Sequence, residues 1–154
     1  MNLNEIKWEV KKFEELSLNE LYEILNLRQE VFVVEQDCPY IDADFKDQKS
    51  LMINGYFEGK LVAHTRIIFP GISYAEASIG RVATHKDYRG TGLGQELMLK
   101  TIETLEKHFG YECRISAQCY LVNFYKNFGF EVCSEEYLED NIPHIQMFKS
   151  KKLL

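Results

Sequence analysis

The chain has 154 residues, a length typical of one domain with one substantial hydrophobic core. Its 24 acidic side chains outnumber 18 lysines and arginines, and the net charge of -6 argues against nucleic acid and anionic membranes as partners. No segment is long and apolar enough to span a bilayer and the first ten residues lack the apolar core of a signal peptide, so we expect a cytoplasmic protein.

The first half of the chain combines strand and helix patterns. Apolar and charged residues alternate over 6–10, which predicts a strand. Ser17 and Glu20 have the spacing of a capping box, so a helix is predicted from Ser17 to the low thirties. After an acidic loop at residues 35–50, two strand-like runs at 51–57 and 60–69 are close enough to form a hairpin.

The second half contains the longest predicted helix. A strand at 77–85 leads through a glycine-rich loop into this helix, whose apolar face ends at Gly110. Four further elements complete the chain: a strand at 113–118, a short helix within 121–130, and two strands, 131–138 and 144–150, around an acidic turn.

The predicted order is therefore β-α-β-β-β-α-β-α-β-β. The strand, loop, helix and strand between residues 77 and 118 form a βαβ unit, whose two strands we expect to be parallel neighbours joined by a right-handed crossover. The other connections suit antiparallel pairs. The sequence predicts a single α/β (α+β) domain over residues 1–154, with a mixed, mostly antiparallel twisted sheet and helices on both faces.

Three glycines crowd the loop "YRGTGLG" in front of the longest helix. A helix N-terminus carries unpaired N–H groups and the positive end of the helix dipole, and glycines let an anion approach them closely. The spacing does not match a P-loop, and Gln95 stands where a dinucleotide fingerprint needs its third glycine. The remaining pattern, Arg89-x-x-Gly92-x-Gly94, suits a pyrophosphate. The alternative is a glycine-rich connection beside a solvated arginine.

The loop "RGTGLG" and the later segment "NFYKNFGF" together resemble the acyl-CoA-binding core of the GNAT (GCN5-related N-acetyltransferase) superfamily. Residues 27–47 and 142–147 are similar to its ElaA-like branch, so the resemblance covers nearly the whole chain. It implies a GNAT-like fold and an enzyme that transfers an acetyl group from acetyl-CoA (coenzyme A) directly to a primary amine. The acceptor would be a small molecule or a peptide.

The resemblance also implies which residues bind the cofactor. In such enzymes the strand before the loop diverges from its parallel neighbour, and the pantetheine arm lies in the gap. Val82, Ala83 and Thr84 match the positions that pair with this arm and hold the acyl carbonyl. Asn123 matches a further polar contact. The pyrophosphate loop corresponds to Arg89, Gly90, Thr91, Gly92, Leu93, Gly94 and Gln95.

Tyr125 matches the residue that often protonates the departing thiolate in this family, and a phenol is protonated at neutral pH. Aromatic packing is the alternative role. Many relatives carry a basic glutamate on the strand before the loop, where this sequence has Arg81. Glu35, after an apolar run, and His144, beside an acidic turn, are the candidate bases. Each residue also has an alternative role: Glu35 would be a solvated carboxylate, and His144 would be a strand-end histidine bonded to the backbone.

Three arginines lie in apolar contexts that require a partner: Arg28, Arg66 and Arg81. Pairing with the nearby acids would give a structural network that contains Glu35, Asp42 and Asp44. Alternatively one arginine binds a carboxylate of the acceptor. On this second view the substrate contacts are Arg28, Arg81 and Gln118.

The four cysteines include no CxxC pair, so we expect reduced thiols and no metal site. Nothing near Cys119 marks a base that would activate it, which favours direct transfer over an acyl-cysteine route. Two other functions remain open at this point: a non-catalytic acyl-CoA-binding or sensing module, and a nucleotide-phosphate binder. A homodimer through edge strands is compatible with the sequence.

Overall fold

The structure, a computed structural model, describes residues 1–154 and contains eight strands and three α-helices. The strands are β1 Lys7–Lys12, β2 Ser50–Phe57, β3 Lys60–Ile68, β4 Ser78–Thr84, β5 Cys113–Gln118, β6 Glu131–Val132, β7 Tyr137–Glu139 and β8 Ile142–Lys149. The helices are α1 Leu18–Arg28, α2 Leu93–Phe109 and α3 Val122–Lys126, and a π-helical segment, Gln29–Glu35, continues α1. None of the helices has the length and apolar composition needed to cross a membrane.

The strands form two four-stranded sheets. The first has the order β1-β2-β3-β4 and is antiparallel throughout, while in the second β8 pairs antiparallel with β5, β6 and β7. The sheets meet at one parallel bridge between Ala77 and Cys113, where the Arg114 N–H donates to the Ala77 carbonyl at 3.1 Å. Because no ladder joins β4 to β5 beyond this bridge, the two strands diverge toward their carboxyl ends.

Helices cover both faces of the first sheet, as predicted. The buried residues of α2 recur every three or four positions and therefore face one way: Leu93, Leu97, Met98, Thr101, Ile102, Thr104 and Leu105. They pack on a core that includes Ala63 of β3. On the opposite face Ile24 and Leu27 of α1 pack against Leu61 and Ala83. Adjacent strand residues alternate between the faces, so β3 and β4 contribute to both clusters.

Several local predictions are confirmed. The Ser17 hydroxyl accepts from the Glu20 N–H at 3.1 Å and the Glu20 carboxylate accepts from the Ser17 N–H at 2.9 Å, which completes the capping box. Glu58 and Gly59 both have positive φ, 50° and 79°, as a two-residue hairpin turn between β2 and β3 requires. The helical run does extend into the thirties, but α1 ends at Arg28 and the rest is π-helical.

Two predictions at the second sheet need correction. The parallel strands share a single bridge rather than a ladder. The predicted strand 131–138 is two strands, β6 and β7. Val132 and Tyr137 are five residues apart, whereas their partners on β8, Met147 and His144, are only three residues apart, so one continuous ladder cannot join them. The Ser134 hydroxyl accepts from the Gln146 N–H at 2.9 Å in place of a backbone carbonyl, which interrupts the ladder.

Candidate active site

A cleft of about 860 Å³ opens where β4 and β5 diverge, a volume typical of ligand sites. Both strands line it, together with the π-helical segment and the turn between β7 and β8. The sequence-predicted residues that line it are Glu35, Arg81, Val82, Thr84, Arg89, Gln118, Tyr125 and His144. The Ala83 side chain is instead buried beneath α1, and Asn123 is exposed on α3.

A β-bulge shapes the wall of the cleft on β4. His64 pairs with Ala83 and Arg66 with Gly80, so Arg81 and Val82 together oppose one residue of β3. Arg81 has a φ of 54°, a conformation that costs a non-glycine residue about 1–3 kcal/mol. A bulge leaves one residue outside the ladder. Both residues of this bulge, Arg81 and Val82, line the cleft.

Beneath the bulge, a closed ring of six alternating charges ties the acidic loop to β3, β4 and α1. Nitrogen–oxygen distances around the ring range from 2.6 to 3.5 Å. Its members in order are Arg28, Asp42, Arg81, Asp44, Arg66 and Asp47, which pairs again with Arg28. Each arginine is thus neutralised by aspartates, and the ring is the structural network that one reading of the sequence predicts, with Asp47 in place of Glu35.

The ion pairs of the ring determine which of its arginines can contact a substrate in the cleft. The Arg28 side chain is fully buried and does not line the cleft, which removes it from the predicted substrate contacts. Arg81 donates from Nε to the Asp42 carboxylate at 2.8 Å and from Nη2 to the Asp42 carbonyl at 3.0 Å, contacts that stabilise its left-handed backbone. Burial acts to raise the pKa of Asp44, but its bonds with Arg66 lower that pKa well below the usual value.

The glycine loop presents a run of unpaired backbone donors. The N–H groups of residues 90–92 donate to no protein acceptor. The first helical hydrogen bond of α2 runs from the Glu96 N–H to the Gly92 carbonyl. The N–H groups of residues 93–95 therefore have no acceptor within the helix. Gly90 and Gly92 have φ of 77° and 86°. A Cβ at Gly94 would meet no atom within 4 Å. The loop therefore has both the donors and the open space for a phosphate-sized anion.

Arg89 lies between this loop and the cleft and is paired. It donates from Nη1 and Nη2 to the two Glu35 oxygens at 2.7 and 3.1 Å, and from Nη2 to the Thr84 carbonyl at 2.9 Å. Glu35, a predicted base, thus lines the cleft with both oxygens occupied, and its role as a base stays a prediction that requires this pair to open.

Tyr125 reaches the cleft from α3. Its ring packs edge-on against Phe124 and Phe130 at centroid distances of 5.2 and 6.0 Å, so the predicted aromatic packing is present. Its hydroxyl has no protein hydrogen-bond partner although Tyr125 lines the cleft. Burial raises the pKa of Tyr125, so the phenol keeps its proton at neutral and moderately alkaline pH.

His144 faces the cleft from β8 in a defined orientation. Its Nδ1 is 2.7 Å from the Ile142 carbonyl, and because a carbonyl can only accept, Nδ1 carries a proton. In the neutral ring Nε2 is then the proton acceptor. This atom is 3.3 Å from the Glu139 carboxylate, close enough to stabilise the ring once it is protonated.

Three polar residues near His144 were not predicted as site residues: Ser116, Tyr137 and Glu139. The Ser116 hydroxyl is hydrogen-bonded to the Tyr137 hydroxyl and donates to the Glu139 carboxylate at 3.2 Å. Burial along β5 alternates, with Ser116 and Gln118 on the less buried side. The matching alternation of apolar and polar residues over 113–118 was the signal in the sequence that could have found Ser116. Gln118 donates to the Gln36 side chain at 3.2 Å, which joins β5 to the end of the π-helical segment.

Comparison with known proteins agrees with this geometry. The family model for the acetyltransferase (GNAT) domain matches residues 17–151. ElaA of Escherichia coli is 43% identical over 145 residues, which cover 92% of this chain and 95% of ElaA. A UPF0039 protein of Synechocystis is 41% identical over 145 residues, which cover 93% of this chain and 94% of that protein.

Solved structures give the same result. The crystal structure of an acyl-CoA N-acyltransferase from Pseudomonas aeruginosa has a TM-score of 0.90 and 38% identity, covering 94% of this chain and 99% of that one. The crystal structure of E. coli ElaA has a TM-score of 0.88 and 41% identity over the same shares of the two chains. The chain therefore belongs to the GNAT acetyltransferase family, in its ElaA-like branch.

Proposed function

We propose that this protein transfers an acetyl group from acetyl-CoA directly to a primary amine of a small molecule or peptide. The observation that carries the proposal is the run of unpaired N–H groups over residues 90–95, which directly follows Arg89 on the lining of the cleft between the diverging strands. These groups and Arg89 would hold the pyrophosphate. Residues 82–84 would bind the pantetheine arm, with Asn123 as a further contact. When bound, acetyl-CoA supplies an acetyl group activated as a thioester.

His144 is the base that the geometry supports best. An alkylamine with a pKa near 10.4 is neutral in only about one molecule in 2,500 at pH 7, so removal of its proton assists attack. His144 offers Nε2 to that proton, because the Ile142 carbonyl holds the other ring nitrogen as the donor. The Glu139 carboxylate then stabilises the imidazolium. Glu35 is the second candidate and serves only after Arg89 releases it.

The remaining steps use the bulge and α3. A backbone N–H at Val82, beside the bulge, would polarise the acyl carbonyl. Tyr125 holds a proton at its hydroxyl and would deliver it to the departing sulfur. Burial raises the pKa of the Cys119 thiol and Glu136 adds to this, so little thiolate is present and a covalent acyl-cysteine is disfavoured.

A second candidate function is a non-catalytic acyl-CoA sensor. The observation in its favour is that β4 carries no carboxylate on the cleft wall and that Arg81, which occupies this region, is engaged in the ion ring. Release of free coenzyme A thiol that depends on an added amine separates the two functions, because a sensor binds acetyl-CoA without turning it over.

The test of the proposal is calorimetric titration with acetyl-CoA, ATP and NAD. We expect selective binding of acetyl-CoA that Gly94→Ala weakens by about tenfold or more, since a methyl group enters the space in front of the donors. Gly94 has no positive φ, and alanine favours a helix by up to about 1 kcal/mol, so this variant stays folded. Glu103→Ala, on the exposed side of α2, is the control. Failure of the folded wild type to bind acetyl-CoA contradicts the proposal.

A further inference from the structure

We propose that the acceptor binds as a cation against Glu139, in an amine pocket formed by Ser116, Glu139 and His144, and that this pocket selects amines without a carboxylate next to the reacting nitrogen. The inference rests on the proposed function and names the substrate class of the same site. All three residues line the cleft, from three different strands or their ends.

The hydrogen bonds of the amine pocket leave a carboxylate oxygen available to a ligand. A carboxylate only accepts, so Ser116 donates to Glu139 Oε1, and the Tyr137 hydroxyl must then donate to Ser116. The Tyr137 ring stacks on the His144 ring at a centroid distance of 6.3 Å, which restricts the orientation of the imidazole. Glu139 Oε2 has no protein partner other than Nε2 of His144, and half of the Glu139 side chain is exposed.

The turn between β7 and β8 holds Glu139 at the cleft. Asp140 and Asn141 adopt φ of 50° and 65°, the left-handed pair of a two-residue hairpin turn. The Cys38 thiol donates to the Asp140 carbonyl at 3.3 Å, which fastens this turn to the acidic loop on the other side of the cleft. The position of Glu139 is therefore set by both walls of the site.

The charges along the cleft determine which ligand suits this pocket. The three arginines that line it are already paired with acids: Arg66, Arg81 and Arg89. Lys46 is the remaining lining cation, and its ammonium group donates to the Ser73 hydroxyl and forms no ion pair with Glu139. The only ion-pair partner of Glu139 is His144, so no lysine or arginine neutralises its carboxylate.

An ammonium group therefore gains an ion pair with Glu139, next to the nitrogen that removes its proton. A carboxylate on the adjacent carbon would lie beside Glu139, where the lining arginines are already paired with acids and Lys46 is bonded to Ser73, so the repulsion would not be offset. The pocket thus favours an alkylamine or arylalkylamine over the corresponding α-amino acid.

Matched pairs of acceptors test this selection: tyramine against tyrosine, and agmatine against arginine, where the amine lacks only the carboxylate. We expect kcat/KM with acetyl-CoA to be higher for each amine by about tenfold or more. Glu139→Gln should reduce the preference and raise KM for the amine, while leaving the Kd of acetyl-CoA unchanged. Glu131→Gln removes an exposed carboxylate from neighbouring β6 and serves as the control.

Two outcomes overturn the inference alone. One is a wild type that binds acetyl-CoA but shows no preference for amine over amino acid, either in turnover or in calorimetric binding to the coenzyme A-loaded protein. The other is an unchanged preference in Glu139→Gln. Failure of the folded protein to bind acetyl-CoA would instead overturn the proposed function.

Discussion

Both carboxylate oxygens of Glu35 accept hydrogen bonds from the Arg89 guanidinium, so the end of the π-helical segment is joined to the start of the glycine loop. Arg89 is the side chain placed to add a positive charge to the loop's backbone donors. Glu35 and a bound pyrophosphate would therefore compete for one cation. A single ion pair thus links the loop that binds an anion to a carboxylate inside the cleft.

Replacing Glu35 by glutamine tests this competition. The pair is partly exposed, and pairs of this kind contribute about 0.2–1 kcal/mol, so we expect acetyl-CoA to bind up to about fivefold more tightly to Glu35→Gln. Calorimetric Kd values give the answer. Glu30→Gln, in the same segment without an ion-pair partner, controls for the loss of a negative charge. Weaker binding in Glu35→Gln would mean that Glu35 instead orients Arg89 for its ligand.

Tyr125→Phe separates proton donation from packing. The hydroxyl has no protein partner, so its loss should leave the free energy of unfolding and the acetyl-CoA Kd unchanged, while kcat falls by about a hundredfold. Because burial raises the pKa of Tyr125, the ratio of wild-type to variant kcat should stay constant from neutral to moderately alkaline pH. Tyr111→Phe is the control, at an exposed position after α2. Equal kcat in wild type and Tyr125→Phe would assign the residue to packing alone.

Local chemistry explains why much of this fold is predictable. The capping box at Ser17 and Glu20, the Glu58-Gly59 turn and the glycine loop each depend on a few adjacent residues. The π-helical geometry of residues 29–35 has no such local signature, and an apolar periodicity near 3.6 describes it as an ordinary helix.

The site depends on contacts that are distant in sequence. The ion ring brings Arg81 to Asp42, 39 residues away, and sequence alone leaves each arginine free to bind either an aspartate or a substrate. The amine pocket joins Ser116 to Glu139 across 23 residues, through strands whose register depends on the interruption at Ser134. A strand register shift of this kind arises in the packed sheet and is not encoded by any short motif.

Arg28→Ala should be among the most destabilising single substitutions. It removes one member of the buried ring and leaves Asp42 and Asp47 with one arginine each instead of two, and breaking a buried ion pair costs about 3–5 kcal/mol. Urea denaturation measures this as a lower midpoint. Lys100→Ala, which breaks the exposed pair with Glu103, should change the free energy of unfolding by less than about 0.5 kcal/mol. Similar small effects from both variants would show that the ring contributes little to stability.

Stability depends on pH through Glu20, which pairs with Lys11 and completes the capping box. Hydrogen bonds from Lys11, and then from the Ser17 N–H, lower the Glu20 pKa from 4.5 to about 2. A carboxyl whose pKa is depressed in the folded state contributes stability above its unfolded pKa, and this contribution is lost as pH falls toward the folded pKa. The relevant window therefore lies between the two values.

Glu20→Gln isolates this contribution, since glutamine keeps an oxygen acceptor for the Ser17 N–H but carries no charge. We expect wild type to exceed the variant in free energy of unfolding above pH 5, and the difference to shrink as pH falls through the window toward 2. Urea denaturation at several pH values measures it, with Glu23→Gln as a control on the exposed side of α1. Equal stability of wild type and Glu20→Gln at every pH would mean that the cap's hydrogen bond, which glutamine keeps, and not the charge paired with Lys11, stabilises the start of α1.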